Sequence, residues 1–329
     1  MELKVYHSFD ELPFDGERWN ALLAASAQPS VFMTWQWQAA WLHAFGGGRP
    51  LQVLAASDAT ESLVALLPLH EAEPGLWRIV GGVDVSDYLD LIALAEREEE
   101  VWEALLQHRA ADRSAWHLRG IRADSPTAQR LPGLAPAHGL TAAVDLEDRC
   151  PVLRLPESWD AYLATLSGKD RHELRRKMRK LESELPDVRV RSVTGGPGWD
   201  EALGRFLRLH RLSRTGKAKF MDETMERFFR DGLGALAAAG WMRLWFLDSA
   251  DTPVASFICT EYGPSVGLYN SGFDPVHARL APGIVLLGHV IRDAIERRVP
   301  VFDFLRGEES YKYAFGPVPT DLLSVRVTP

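Results

Sequence analysis

The two halves of this chain carry the same short patterns in the same order, and this repetition constrains the fold more than any other feature. Val64-Ala65 and Val254-Ala255 lie 190 positions apart, each in a segment typical of strand, polar turn and strand. Each half then runs through a helix-like stretch into a short strand. Those strands end at Leu118-Arg119-Gly120 and Leu305-Arg306-Gly307, 187 positions apart. Because order and spacing agree, the sequence predicts two copies of one α/β unit.

The length of the chain is consistent with this duplication. At 329 residues it exceeds what one compact core usually supports. Charged and proline-containing sequence, Glu147-Asp148-Arg149-Cys150-Pro151, follows the first copy and indicates the join. We therefore expect an N-terminal domain over residues 1–150 and a C-terminal domain over residues 151–329.

Charge and cysteine content narrow the range of partners. The net charge of −8 argues against a surface that tracks nucleic-acid phosphates, so DNA is not an expected partner. Cys150 and Cys259 lie far apart and the histidines form no H-E-x-x-H pair, so we expect neither a disulfide framework nor a metal site.

The first residues lack the pattern of a secretion signal, and no apolar run approaches about 18 residues. These features predict a cytoplasmic protein without a membrane span.

A basic segment lies just after the predicted join. Residues 169–180 contain seven Lys or Arg and two acidic residues, and therefore carry +5. Ser167 and Asp170 form a pattern like a capping box, and Leu174 and Met178 follow at helical spacing. The segment is predicted to be an amphipathic helix. Its charged side is either a solvated face or a docking face for the phosphates of a carrier, a nucleotide sugar or tRNA.

The C-terminal 65 residues contain the strongest indication of a binding site. An aromatic strand, Val266 to Phe273, is followed by Ala281-Pro282-Gly283 and then by a helix with an apolar stripe. Proline is favoured in a first helical turn, and glycine lets a ligand approach the backbone. The free N–H groups of such a helix start suit a pyrophosphate. The alternative is an ordinary crossover helix with no ligand.

Several reactive side chains follow that helix. Strand 301–305 places the carboxylate of Asp303 among apolar residues, where it needs a partner or a raised pKa. Acyl transfer needs a base, donors for a tetrahedral oxyanion and an acid for the leaving group. Asp303 or Glu308 suits the first role, Lys312 the second and Tyr311 the third. The alternatives are an Asp303 paired with Arg306 or backbone donors, and a Tyr311 that simply packs beside an exposed lysine.

Three blocks of this C-terminal region resemble the signature blocks of CelD/BcsL-like proteins. These proteins belong to the GNAT acyltransferase superfamily and are related to the Fem peptidyltransferases. The similarity extends upstream to residues 86–90, to the basic helix and to residues 209–211. The three blocks are Gly267-Leu268-Tyr269-Asn270-Ser271-Gly272-Phe273-Asp274-Pro275, Ala281-Pro282-Gly283, and Phe302-Asp303-Phe304-Leu305-Arg306-Gly307-Glu308-Glu309-Ser310-Tyr311-Lys312.

The resemblance implies tandem GNAT-like domains with mixed sheets flanked by helices. It also implies acetyl-CoA or another acyl-CoA as co-substrate, with no permanently bound cofactor. The residues that it assigns to the donor are Asn270, Ser271, Gly272, Phe273, Arg279, Ala281, Pro282, Gly283 and Ile284. Those that it assigns to the acceptor are Asp87, Tyr88, Asp90, His210 and Arg306. Packing alone also explains a histidine such as His210 in a Leu/Phe-rich helix.

One departure from the superfamily concerns its phosphate loop. That loop usually reads Arg/Gln-x-x-Gly-x-Gly/Ala, whereas Arg279-Leu280-Ala281-Pro282-Gly283-Ile284 keeps the arginine and a displaced glycine.

The expected function is transfer of an acyl group to an amine or hydroxyl of a small, saccharide or envelope-related acceptor. The alternatives are a Fem-like ligase that uses aminoacyl-tRNA and a non-catalytic carbohydrate-binding protein.

Overall fold

The computed structural model describes residues 1–112, 114–213, 219 and 221–329. The chain forms two compact units. The first comprises Met1–Arg149 and Thr320–Pro329, and the second comprises Cys150–Pro319. Residues 320–329 therefore belong to the first unit, whereas the sequence analysis assigned them to the C-terminal domain.

Both units contain strands and helices. The strands are Glu2–Tyr6 (β1), Leu51–Ser57 (β2), Leu63–Glu73 (β3), Leu76–Ile79 (β4), Ile92–Ala93 (β5), Ala115–Arg122 (β6), Thr141–Arg154 (β7), Arg189–Val193 (β8), Met242–Ser249 (β9), Thr252–Tyr262 (β10), Ser265–Phe273 (β11), Val301–Asp303 (β12) and Val318–Thr328 (β13). The α-helices are Gly16–Ala24 (α1), Trp35–Phe45 (α2), Glu98–Asp112 (α3), Pro126–Leu134 (α4), Trp159–Thr165 (α5), Gly168–Glu184 (α6), Trp199–Ser213 (α7), Glu223–Phe228 (α8), Gly234–Ala238 (α9), Pro282–Glu296 (α10) and Ser310–Tyr313 (α11).

The first unit is built on a mixed sheet with the order β1-β2-β3-β4-β6-β13, and β5 pairs with β3. β2 and β3 form an antiparallel hairpin. β4 and β6 are parallel, and the chain passes through α3 between them. β13 pairs antiparallel with β6, with Val327 opposite Trp116. This pairing explains why the last residues belong to the first unit.

The second unit repeats this plan with the order β12-β11-β10-β9-β8, and residues 152–154 of β7 pair with β12. β9 and β10 form the equivalent antiparallel hairpin. β11 and β12 are parallel, and the chain passes through α10 between them. Each unit therefore has a hairpin followed by a parallel crossover. The predicted α/β class, with mixed sheets flanked by helices, is confirmed.

The basic segment forms helix α6, as the sequence predicted. The hydroxyl of Ser167 accepts a hydrogen bond from the Asp170 amide at 3.1 Å, which satisfies one of the free donors of the first turn. Leu174 and Leu181 are buried against the second unit's core. A Cβ atom added at Gly288 in α10 would lie 3.2 Å from a methyl group of Leu174, so the two helices pack closely. The apolar side of α6 is thus anchored on α10.

The tryptophans of α2 are part of the first unit's core. Trp37 is fully buried, and its indole N–H donates a hydrogen bond to the Ser86 hydroxyl at 2.8 Å. Trp41 is 6% exposed. Their burial leaves neither indole ring free as a platform on which a sugar could stack. No α-helix within the described ranges is long and apolar enough to cross a membrane.

The predicted apolar stripe of α10 faces the core of the second unit. Leu287, Ile291, Ala294 and Ile295 are buried, and Ile284 at the start of the helix is half-buried. The stripe therefore fixes the direction in which the first turn of α10 points. That turn forms part of the candidate site.

The contact between α7 and β11 depends on a glycine. A Cβ atom at Gly272 would lie 2.5 Å from the backbone nitrogen of His210. We expect Gly272→Ala to lower the free energy of unfolding by about 1–3 kcal/mol, because the added methyl group would force the backbones of α7 and β11 apart. Urea denaturation measures this change.

A matched control lies in α7 itself. A Cβ atom at Gly204 would meet nothing within 4 Å. Gly204→Ala should therefore raise the free energy of unfolding by about 0.5–1 kcal/mol through helix propensity alone. Equal midpoints for wild type and Gly272→Ala would contradict the close approach of α7 and β11.

Candidate active site

A gap opens in the second unit's sheet where β11 and β12 separate. Their parallel pairing joins residues 265–267 to residues 301–303. β11 then continues to Phe273, whereas the neighbouring chain turns at Leu305, whose φ of 55° is left-handed. A non-glycine residue in this region is uncommon and costs energy. One side of β11 beyond Gly267 is thereby left without β12 as its neighbour.

The first turn of α10 lies at this gap. Ala281 has a left-handed φ of 50° and provides no side-chain cap. The amides of Ile284 and Val285 both donate to the carbonyl of Ala281, at 3.0 and 3.2 Å. Pro282 has no N–H. The predicted cluster of free donors is therefore reduced to the amide of Gly283, which has no hydrogen bond to any residue that the structure describes.

A cavity of about 260 Å³ lies between the end of β11 and the start of α10. Its lining is mostly apolar, and Ser213, Ser271, Glu309 and Tyr311 contribute polar groups. Seven of the predicted donor-binding residues and one predicted catalytic residue meet here, namely Ser271, Gly272, Phe273, Ala281, Pro282, Gly283, Ile284 and Tyr311. The sequence blocks that suggested a site therefore converge on one cavity.

Two predicted donor-binding residues lie outside this lining. The side-chain oxygen of Asn270 accepts a hydrogen bond from the Ser271 amide at 2.9 Å, which shapes the strand. Arg279, the arginine of the expected phosphate loop, is 69% exposed and forms an ion pair with Glu184 at the end of α6. In the structure Arg279 is thus a surface residue that links two segments of the second unit.

Lys312 is buried beneath the loop that follows β12. It is 3% exposed, and its ammonium group donates to the carbonyls of Arg306 and Gly307 at 2.9 and 3.0 Å. The carbonyl of Leu305 lies 3.4 Å away, and the Glu309 carboxylate 2.8 Å away. Four acceptors thus surround three N–H donors. The predicted oxyanion donor instead holds the loop in place.

The two carboxylates favoured as bases do not line the cavity. Asp303 is 6% exposed, and its Oδ1 accepts a hydrogen bond from the Leu305 amide at 2.7 Å. Glu308 is exposed and accepts a hydrogen bond from the Tyr313 hydroxyl at 2.8 Å. Asp303 therefore stabilises the turn out of β12, in agreement with the alternative that backbone donors satisfy it.

Glu309 and Ser213 line the cavity although the sequence analysis assigned them no role. Glu309 follows Glu308 directly, and the choice between two adjacent carboxylates depends on the path of the loop. Ser213 is the last residue of α7, and its hydroxyl donates to the carbonyl of His210 at 2.8 Å. No motif marks Ser213, because it reaches the cavity through the packing of α7 on β11.

His210 and Arg306 lie near the cavity without lining it. The ring of His210 is 1% exposed and packs beside Phe206, with ring centroids 5.6 Å apart. Arg306 is half-buried, and its carbonyl accepts the hydrogen bond from Lys312. The burial of His210 agrees with the packing alternative.

The other predicted acceptor residues, Asp87, Tyr88 and Asp90, belong to one loop of the first unit. The ring of Tyr88 lies 5.4 Å from the Arg122 guanidinium carbon. The carboxylate of Asp90 accepts hydrogen bonds from the Leu91 amide at 2.7 Å and the Thr127 hydroxyl at 2.5 Å. Desolvation raises the pKa of Asp90 to about 6. Asp87 is half-buried in the same loop.

Comparison with known proteins identifies the fold. Residues 168–313 match the family model of an acetyltransferase (GNAT) domain. This match covers the cavity, α6, α10 and the loop after β12. This part of the second unit is thus similar to a GNAT acetyltransferase domain. No curated protein sequence matches the chain.

Solved structures extend the similarity to both units. FemX is 10% identical with a TM-score of 0.66, and the alignment covers 98% of this chain and 97% of FemX. L-PGS from Bacillus licheniformis is 12% identical with a TM-score of 0.62, covering 94% and 90%. A tandem GNAT protein from the clavulanic acid biosynthesis pathway is 14% identical with a TM-score of 0.51, covering 99% and 98%. At these identities the likeness defines the fold, which is that of tandem GNAT proteins.

The geometry around Lys312 gives a prediction about stability. Lys312→Met keeps the length of the side chain but leaves loop carbonyls without their donor. We expect a loss of about 1–3 kcal/mol in the free energy of unfolding, the usual cost of unsatisfied buried acceptors. Lys4→Met, which changes a side chain that is 59% exposed, should leave the urea midpoint as in the wild type. Urea midpoints measure both, and an unchanged midpoint for Lys312→Met would rule out the anchoring role.

Proposed function

We propose that this protein is a GNAT-type acyltransferase that moves an acyl group from an acyl-CoA to an amine or hydroxyl. The acceptor class that fits the CelD/BcsL-like resemblance is a small, saccharide or envelope-related molecule. One observation carries the proposal: the cavity between the open side of β11 and the first turn of α10.

The cavity suits the two chemically different parts of an acyl-CoA. Its apolar lining accommodates the acyl and pantetheine chain, which can hydrogen-bond to the backbone of residues 271–273 as an added strand does. The positive end of the α10 dipole and the Gly283 amide favour the pyrophosphate. A single free amide holds phosphate less firmly than a complete loop, so we assign part of the donor's binding energy to the apolar lining.

The residues at the cavity permit direct transfer. The acceptor's nitrogen or oxygen attacks the thioester carbonyl carbon, a new carbon–nitrogen or carbon–oxygen bond forms, and the carbon–sulfur bond breaks. We assign Glu309 as the base that takes the acceptor's proton and Tyr311 as the acid that protonates the departing thiolate. Both line the cavity. Lys312 acts as a positioning residue, because its ammonium group fixes the loop and contacts the Glu309 carboxylate.

A variant at Gly283 tests donor binding. A Cβ atom there would meet nothing within 4 Å, so Gly283→Asp should fold normally. Its carboxylate would favour the helix terminus but repel the donor's phosphates. We expect affinity for acyl-CoA to fall at least tenfold, a change of about 1.4 kcal/mol. Isothermal titration calorimetry with acetyl-CoA and longer acyl-CoAs measures the change.

Gly168→Asp is the matched control for this variant. Gly168 begins α6, a Cβ atom there also meets nothing within 4 Å, and the residue does not line the cavity. The same charge change at this helix start should leave acyl-CoA affinity as in the wild type. Equal affinities for Gly283→Asp and wild type would show that the donor's phosphates do not bind at the start of α10. If no acyl-CoA binds, the proposal that acyl-CoA is the donor is wrong.

The exposed basic side of α6 favours a second candidate, an aminoacyl-tRNA-dependent ligase of the Fem type. Lys169, Arg175 and Arg179 are exposed on this helix. Binding of tRNA through them would weaken steeply with salt. A filter-binding series with aminoacyl-tRNA from 50 to 300 mM salt separates the candidates. Tight, salt-sensitive binding that is lost on Arg175→Gln together with Arg179→Gln would favour the ligase.

A further inference from the structure

The first unit contains a second cavity, whose wall is formed by basic residues on one face of its sheet. His70 in β3 lies directly opposite Arg78 in β4. His117 and Arg119 are two residues apart in β6 and therefore point to the same side, away from buried Trp116. Three neighbouring strands thus present histidine or arginine side chains together.

These side chains line a cavity of about 280 Å³, to which Trp41 and Arg49 also contribute. The indole ring of Trp41 packs on the His70 ring, with centroids 4.8 Å apart. Gly82 permits this packing, because a Cβ atom there would lie 2.9 Å from the indole nitrogen. The wall is therefore held in place by the core of the first unit before any ligand arrives.

Two of the three arginines that line this cavity are paired with carboxylates. The carboxylate of Glu147 lies 2.6 Å from Arg119, and that of Glu73 lies 3.4 Å from Arg78. Arg49 has no carboxylate within ion-pair distance among the described residues. Asp84 is the one acidic residue among the described lining residues, and it is exposed. The cavity therefore contains three guanidinium groups, and Arg49 is the one left to pair with a ligand.

Two buried nitrogen atoms of this wall lack a partner. Nε of Arg78 and Nδ1 of His70 are buried and form no hydrogen bond with any group that the structure describes. His70 as a whole is 5% exposed. Buried polar atoms are normally satisfied, and an unsatisfied donor is costly. A ligand that accepts hydrogen bonds would satisfy the Arg78 donor.

The histidines themselves add no net charge at neutral pH. Desolvation, together with Arg49 and Arg78, lowers the pKa of His70 to about 4. Desolvation and, to a smaller extent, the positive charge of Arg326 lower the pKa of His117 to about 4. Each imidazole is therefore neutral at pH 7, with one N–H donor and one acceptor. The acceptor of His117 is its Nδ1, which accepts a hydrogen bond from the Arg326 guanidinium at 3.4 Å. The arginines supply the positive charge, and the histidines supply neutral hydrogen-bonding groups.

We propose that this cavity of the first unit binds the phosphate group of a small phosphorylated molecule. The planar guanidinium fork matches phosphate oxygens in two-point contacts, and two such forks on adjacent strands suit an anion with several oxygens. The cavity is larger than one phosphate group, so a phosphate ester or a diphosphate fits the space. The site consists of first-unit residues and shares no lining residue with the cavity at α10.

Calorimetric titration of the full chain with pyrophosphate tests this proposal. We expect saturable binding that weakens as salt rises, with affinity at least tenfold lower in Arg78→Gln and in Arg49→Gln. Arg78→Lys should lose part of the affinity, because it keeps the charge and loses the fork. Thermal unfolding establishes that each variant is folded. Arg18→Gln removes an exposed arginine of α1 outside this cavity and should bind as the wild type does.

Two further titrations distinguish this site from the cavity at α10 and from a carboxylate site. Pyrophosphate binding should persist in Gly283→Asp and in the presence of saturating acetyl-CoA, whether or not the acyltransferase proposal holds. Loss of binding under either condition would place the anion at α10 and overturn the inference. Citrate binding more tightly than pyrophosphate, no binding of pyrophosphate, or unchanged affinity in Arg78→Gln would overturn it as well.

Discussion

The separation of β11 from β12 is the constraint on which the candidate active site depends. The strands pair over three residues each, and the chain then leaves the sheet at Leu305 in a left-handed conformation. That conformation is unfavourable by itself and persists because its surroundings fix it. The ammonium group of Lys312 binds the carbonyls of the turn, and Asp303 accepts the Leu305 amide. The charged side chains of Lys312 and Asp303 thus stabilise the backbone turn at Leu305, and this turn leaves the cavity beside β11 open.

The two units share a plan and differ in the chemistry of their cavities. Each has an antiparallel hairpin and a parallel crossover through a helix. In the second unit the helix start meets an apolar cavity, whereas in the first unit arginines and histidines project from the strands into a polar one. Duplication of a fold fixes the path of the backbone and leaves the side chains of each copy to diverge.

Local patterns predicted much of the fold, and long-range contacts account for what they missed. The cap at Ser167 and the apolar stripe of α10 depend on neighbours within one or two turns, so the sequence predicted them correctly. The carboxylate that faces the cavity is Glu309 rather than Asp303 or Glu308, because the loop path depends on Lys312 and the φ of Leu305. The surface ion pair of Arg279 with Glu184 joins segments about ninety-five positions apart, which local spacing cannot indicate.

The return of β13 to the first unit makes that unit discontinuous in sequence. Residues 150–319 are synthesised between its two parts. During translation the second unit can therefore acquire all of its residues before the first unit acquires its last strand. β6 has no β13 to pair with until residues 320–328 have been synthesised, and it exposes unpaired backbone groups in the meantime. Nascent chains of this protein should thus be most vulnerable to misassociation through the half that is made first.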